Sequence, residues 1–225
     1  MGQPKYIIIA GINGAGKSTL YQTQKNIFEQ TKRINADEIL KKNGGDWRNQ
    51  NDNFKAMQEE VKQIHEAFDK RISIHVETTL SGTGKAQLNL IEEAKSKGYE
   101  VTLHYVTLDS AEKAIERVNQ RVNVGGHGIA PEVIRKRYDQ SFKNLPKISY
   151  KSDNVFIYDN SKIFKNVYGR ERGVVRYNYL SKYPFINISL NYTEKVQKEL
   201  NNYSEKNKLS QQQKVNNNKK DNPKI

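Results

Sequence analysis

The stretch Ile7–Leu20, IIIAGINGAGKSTL, constrains this chain more than any other. Lys5–Ala10 is a run of apolar and β-branched residues, the pattern of a strand buried on both faces. It leads directly into Gly11–Ser18, which fits G-x-x-x-x-G-K-[ST], the Walker A phosphate loop, with a helix expected from about Lys17. A strand before and a helix after are the context this motif requires. Glycines let backbone N–H groups from Asn13 through Gly14, Ala15, Gly16, Lys17, Ser18 and Thr19 turn toward a phosphate. A helix start adds partial positive charge. Lys17 then reaches the β- and γ-phosphates, and the Ser18 hydroxyl can ligate Mg²⁺. ATP and Mg²⁺ are therefore the expected cofactors. The competing reading is a glycine turn between strand and helix with no ligand.

The rest of the chain alternates between strand and helix patterns. Strands are expected over Arg33–Ile39, ending at Asp37, and over Ile72–Leu80, Tyr99–Leu108 and the segment NVFIYDN. Between them lie helical patterns. In one, Phe54, Met57, Val61, Ile64, Ala67 and Phe68 form an apolar stripe. Another, KAQLNLIEEAKSKG, closes at Gly98. A third starts behind Ser110 as N-cap, and a fourth runs from Pro131 through about Leu145. Alternation of this kind implies an α/β fold: a P-loop NTPase-type parallel sheet flanked by helices, with right-handed crossovers. KNVYGRERGVVRYNYL reads as a C-terminal β-hairpin. A kinase-type domain is expected over residues 1–190. Residues 191–225 read as a weakly helical to disordered Lys/Asn-rich tail.

Composition excludes several classes. The 225 residues hold no cysteine, so neither a disulfide nor a thiolate metal site can form. YIIIAGI is far shorter than the ~20 apolar residues of a membrane span. No signal-peptide pattern is read at the start, and a soluble, cytoplasmic protein without membrane partners is expected. The formal net charge is +13, which invites nucleic acid, acidic partners or phosphorylated ligands. From Lys195 to Ile225, eight lysines against Glu199, Glu205 and Asp221 account for +5 of it. A solvated lysine-rich surface is the better account of the rest.

A phosphate loop names a nucleotide, not a function. In open α/β sheets the deciding residues gather beyond the carboxyl ends of the strands. Here those are Asp37, Glu77 with Thr78 and Thr79, and Asp109. The chain has no Asp-Glu strand end of a motor ATPase, no Asn-Lys-x-Asp motif of a GTPase and no Leu-Ser-Gly-Gly-Gln of a transporter ATPase. ERVNQRVNVGGHGIAPEVIRKRY instead suggests a small helical lid over about 110–140. Arg117 and Arg121 share a helix face, and Arg135 and Arg137 lie beyond a glycine loop. Arginine suits the charge that spreads over a moving phosphoryl group. The alternative is a surface helix with solvated arginines. Asp37 has two readings: a base that accepts an acceptor hydroxyl's proton, or a cap for the following helix. Glu77 and Thr79 either line an acceptor pocket or cap the strand end. His127, alone in its loop, reads as a surface residue. His65, His75 and His104 lack metal-ligand spacing.

Taken in order, AGINGAGKST, INADEI, ETTLSG, GYEVTLHYV, RVNQRVNVGGHGIAPEVIRKRYDQSFKNL and YDNS resemble the zeta toxin family of P-loop kinases, in particular its compact, stand-alone branch. The resemblance runs from about Lys5 to about Tyr179. It implies an ATP- and Mg²⁺-dependent kinase acting on a hydroxyl of UDP-N-acetylglucosamine or a related UDP-sugar, and an antitoxin protein as partner. Lys17 and Ser18 then match the phosphate-loop lysine and hydroxyl, and Asp37 the catalytic base. Glu77 and Thr79 match the E-x-T that contacts the amino sugar. One of Arg117 and Arg121 matches the first lid arginine, and Asp159 a fifth-strand aspartate. The second lid arginine falls near His127, so Arg135 or Arg137 would replace it. Two other readings stay open. One is a nucleic-acid end kinase, motivated by the charge. The other is a non-catalytic regulator that binds ATP and reports it through the lid.

Overall fold

The structure, a computed structural model, describes residues 2–125 and 128–186. The chain divides into two units, Met1–Ser189 and Leu190–Ile225. The second unit lies outside the described residues, and so do the expected tail and His127.

The first unit is α/β. Strands β1 (Lys5–Ala10), β2 (Lys32–Ile34), β3 (Ile74–Thr78), β4 (Glu100–Thr107) and β5 (Asn154–Asp159) are mutually parallel. Strands β6 (Lys165–Glu171) and β7 (Val174–Asn178) add to the β5 edge antiparallel, giving the order β2-β3-β1-β4-β5-β6-β7. The hairpin turn is Arg172-Gly173, both at positive φ (47° and 81°). That pair gives the primed turn whose twist matches the flanking strands. The expected parallel sheet is thus present and extended by the expected hairpin.

Helices α1 (Lys17–Thr23), α2 (Ala36–Lys42), α3 (Gln50–Asp69), α4 (Lys85–Ser96), α5 (Ala111–Asn123) and α6 (Pro131–Lys151) flank the sheet. Beneath the phosphate loop, Ile7, Ile9, Ile12, Leu20, Val106, Leu108, Val118, Ile134 and Tyr158 form one buried cluster. Burying side chains of this size contributes about 1.5–3 kcal/mol each, which makes the loop's floor rigid. No described helix is long and apolar enough to cross a membrane.

Three elements differ from expectation. Strand β2 ends at Ile34 rather than Asp37. Asn35 Oδ1 accepts the Glu38 N–H at 3.1 Å and starts α2, as befits the residue type with the strongest capping preference. Asp37 is therefore in the first turn of a helix and is not its cap. In α3 the buried stripe is Ala56, Ile64, Ala67 and Phe68, while Phe54, Met57 and Val61 are 60%, 57% and 40% exposed. The expected stripe holds in its second half, Ile64, Ala67 and Phe68, and in the first half Ala56 faces the core instead. Finally, α6 passes through Pro146 to Lys151 because Leu145, Pro146 and Ile148 are all buried. Packing outweighs the lost N–H.

Candidate active site

The chain turns left after β1, toward β3 and β2, and right after β4, toward β5. The sheet therefore splits beyond the carboxyl ends of β1 and β4, where ligands gather in such folds. The phosphate loop sits there. Gly16 holds φ +101° at the start of α1, and a Cβ on it would lie 2.1 Å from Asn160 Nδ2. Only glycine satisfies both demands. Asn160 Nδ2 in turn donates to the Ala15 carbonyl at 2.9 Å, strapping the loop to the end of β5.

An open cleft of about 1390 Å³ surrounds this point. Asn13, Gly14, Gly16, Lys17, Ser18 and Thr19 line it from the loop, Asp37 from α2, Glu77 from β3, and Arg117 with Arg121 from α5. Ala15 is fully buried beneath the loop. Lys17 Nζ donates to the Gly11 carbonyl at 2.8 Å. Burial pushes its pKa down; Glu77 and Asp37 oppose that, and Arg121 with Arg137 add to it. Those four side chains therefore share one electrostatic neighbourhood with the lysine. Arg117 Nη2 donates to the Asn160 carbonyl at 2.8 Å, and Arg137 Nη1 to Asn13 Oδ1 at 2.7 Å. Of the two candidates for the second lid arginine, Arg137 reaches the phosphate loop. Arg135 is held at 3.1 Å by Glu112, with both side chains exposed.

Other sequence candidates lie elsewhere. Thr79 Oγ1 donates to Ser81 Oγ at 2.8 Å, and Thr79 does not line the cleft. The Thr78 hydroxyl accepts the Leu80 N–H at 3.1 Å. Asp109 pairs with Lys113 at 2.7 Å. Asp159 is buried and accepts from the Ser161 N–H at 3.1 Å, closing the turn that presents Asn160. Among the described residues no group of three or more His, Asp or Glu could hold a metal ion.

The cleft also contains residues that the motifs do not name. Arg33 bridges Glu77 at 2.6 Å and Glu38 at 3.0 Å, and its guanidinium lies 4.7 Å over the Tyr21 ring. Tyr21 and Trp47 both line the wall. Glu60 of α3, which does not line the cleft, accepts the Ala36 N–H at 3.1 Å, one residue before Asp37. Burial pushes its pKa up to about 7, helped by Asp37 and Glu77 and opposed by that N–H. Glu60 lies between Ala56 and Ile64 on the core stripe of α3; a lone carboxylate at a core-facing helix position is the signal that could have found it. A second groove of about 530 Å³ lies over β1, β4 and β5, walled in part by the Arg172–Glu100 pair; it holds no phosphate-loop residue.

The arrangement sets cations at the loop end of the cleft and carboxylates at the other. An uncharacterized protein of Haemophilus influenzae is 31% identical over 136 residues, covering 60% of this chain and 94% of the relative. Among solved structures, the complex AvrRxo1-ORF1:AvrRxo1-ORF2 with sulphate ions matches with a TM-score of 0.65 at 15% identity. The match covers 85% of this chain and 65% of that one, so this chain spans just under two thirds of it. The same pair has been solved with ATP (TM-score 0.57). The PezAT chromosomal toxin–antitoxin system of Streptococcus pneumoniae matches with a TM-score of 0.55 at 17% identity, over 89% of this chain and 88% of that one. These likenesses show the fold. The family model described as zeta toxin matches residues 1–178, and the chain belongs to the zeta toxin family.

Proposed function

We propose that the protein is an ATP-dependent kinase of zeta-toxin type that phosphorylates a hydroxyl of UDP-N-acetylglucosamine or a related UDP-sugar. The observation that carries this reading is a single cleft lined by Lys17, Arg117, Arg121, Asp37 and Glu77, with Arg137 of the next helix bonded to its Asn13. Family membership supports phosphoryl transfer, and the AvrRxo1 structure with ATP supports the nucleotide.

In the proposed reaction the acceptor hydroxyl oxygen attacks the γ-phosphorus as the bond to the departing ADP oxygen breaks. Asp37 accepts the hydroxyl proton. Charge on the transferring phosphoryl oxygens is met by Lys17, Arg117, Arg121 and Arg137. Glu77, held by Arg33, orients the acceptor, and Glu60 fixes the start of α2 that carries Asp37. The Ser18 hydroxyl is exposed in the cleft, an oxygen ligand of the kind Mg²⁺ takes, and would hold the ion together with the nucleotide phosphates. Bound there with the phosphates, the ion would neutralise β- and γ-oxygen charge.

An antitoxin-type protein partner belongs to the same proposal, supported by PezAT, itself described as a toxin–antitoxin system. The test is mass spectrometry of purified protein with Mg²⁺-ATP and UDP-N-acetylglucosamine. A product heavier by one phosphoryl group is expected. ATP binding without a phosphorylated product across a panel of UDP-sugars would refute the acceptor class and favour the regulator.

A further inference from the structure

Helix α6 carries Arg137, Gln140 and Asn144 at i, i+3 and i+7. That spacing sets all three on one helix face. Each binds a segment remote in sequence. Arg137 holds Asn13 in the phosphate loop at 2.7 Å. Gln140 Oε1 accepts the Gly82 N–H at 2.8 Å. Asn144 Nδ2 donates to the carbonyls of Leu80 at 2.8 Å and Gly82 at 3.1 Å.

The segment gripped by Gln140 and Asn144, residues 79–84, begins two residues after Glu77 and is held in a conformation it would not choose. Leu80 is buried with φ +51°, a left-handed backbone that a leucine keeps only when its surroundings impose it. A Cβ on Gly84 would lie 2.8 Å from the Asn144 side chain, so the amide is wedged against both ends of the loop. Asn144 is itself only 3% exposed. An apolar side chain would fill such a position without desolvating an amide. The buried amide therefore serves the loop's shape rather than the core's stability.

We propose that Asn144 is a positioning residue for the acceptor half of the cleft. Its amide fixes the 79–84 loop behind Glu77. Arg137, on the same face of the same helix, makes that loop respond to the nucleotide held on the phosphate loop. The term acceptor rests on the kinase reading; the coupling between the two loops does not. Because coupling between sites is reciprocal, a nucleotide that steadies the 79–84 loop binds more tightly when that loop is already steady.

The test is hydrogen–deuterium exchange of the full chain with and without a non-hydrolysable ATP analogue and Mg²⁺. In the wild type the analogue should slow exchange in residues 79–84 as well as in the phosphate loop. Asn144→Ala should speed basal exchange in 79–84 about ten-fold, the scale of one hydrogen bond lost to a buried carbonyl, and should abolish the analogue's effect there. Gln140→Ala, at a half-exposed position that folding tolerates, should weaken the same effect. Protection confined to the phosphate loop in the wild type, or retained in 79–84 by both variants, would overturn the proposal. A kinetic arm uses UDP-N-acetylglucosamine as acceptor. Asn144→Ala should raise its KM about ten-fold and, because the coupling is reciprocal, weaken ATP binding as well, whereas a purely structural role would lower active enzyme and spare both. No transfer by the wild type would reject that acceptor alone, and the exchange experiment would still decide the coupling.

Discussion

Replacing Glu60 by Gln should make the protein more stable at alkaline pH and leave it unchanged in acid. Glu60 lies on the core side of α3, accepts the Ala36 N–H at 3.1 Å and faces the charges of Asp37 and Glu77. Its pKa is pushed from 4.5 up to about 7, first by burial. A carboxyl raised in this way binds its proton more tightly in the folded chain. Its contribution is fully present below pH 4.5 and is lost as pH rises through about 7. At about 1.4 kcal/mol per pH unit, the loss amounts to roughly 3 kcal/mol. Gln keeps an oxygen for the Ala36 N–H and never ionises. His75 and His104, lowered by burial to about 4 and about 3, act in the opposite direction, losing stability as pH falls below 6.5. They are common to both proteins and cancel in the difference. Thermal melting at pH 4 and pH 8.5 reads the effect. At 2–4 °C per kcal/mol for a chain of this size, the variant should melt about 6–12 °C above wild type at pH 8.5 and within about 1 °C of it at pH 4. A difference independent of pH would refute a buried, proton-binding Glu60.

Further outcomes follow from single contacts. Arg137→Ala should cost roughly a hundred-fold or more in phosphoryl transfer, the scale of removing one group that stabilises transition-state charge, whereas Arg135→Ala, which loses a pair with exposed Glu112, should stay within about two-fold; γ-phosphate transfer assays compare them. Asn35→Ala removes the cap on α2 and should cost about 1 kcal/mol in urea unfolding. Gly16→Ala forces a Cβ against Asn160 and should abolish nucleotide binding by calorimetry while the circular dichroism of the fold persists.

The loop Gly11–Ser18 was legible because its chemistry resides in the order of its own residues. Strand alternation was legible because burial on both faces leaves continuous apolar runs, as in Ile7–Ala10. Contacts between elements were not. The stripe of α3 was legible through Ile64, Ala67 and Phe68 but begins at Ala56 rather than Phe54 and Met57, a choice that packing against α2 and β2 makes. Glu60 stayed hidden for the same reason, since a carboxylate within a helical pattern reads as solvated. Arg135 and Arg137 are indistinguishable until α6 is placed, when one meets Glu112 and the other Asn13. Thr79 follows Glu77 at the spacing of a strand face, yet the chain leaves β3 at Thr78 and turns through Leu80 at positive φ. The side chain then meets Ser81.

The most direct test of the account compares wild type and Asp37→Asn for Mg²⁺-ATP affinity and for turnover with UDP-N-acetylglucosamine. The account predicts dissociation constants for ATP within a few-fold of each other and a loss of turnover of at least about a hundred-fold, the contribution of a general base. Full turnover by Asp37→Asn would contradict it.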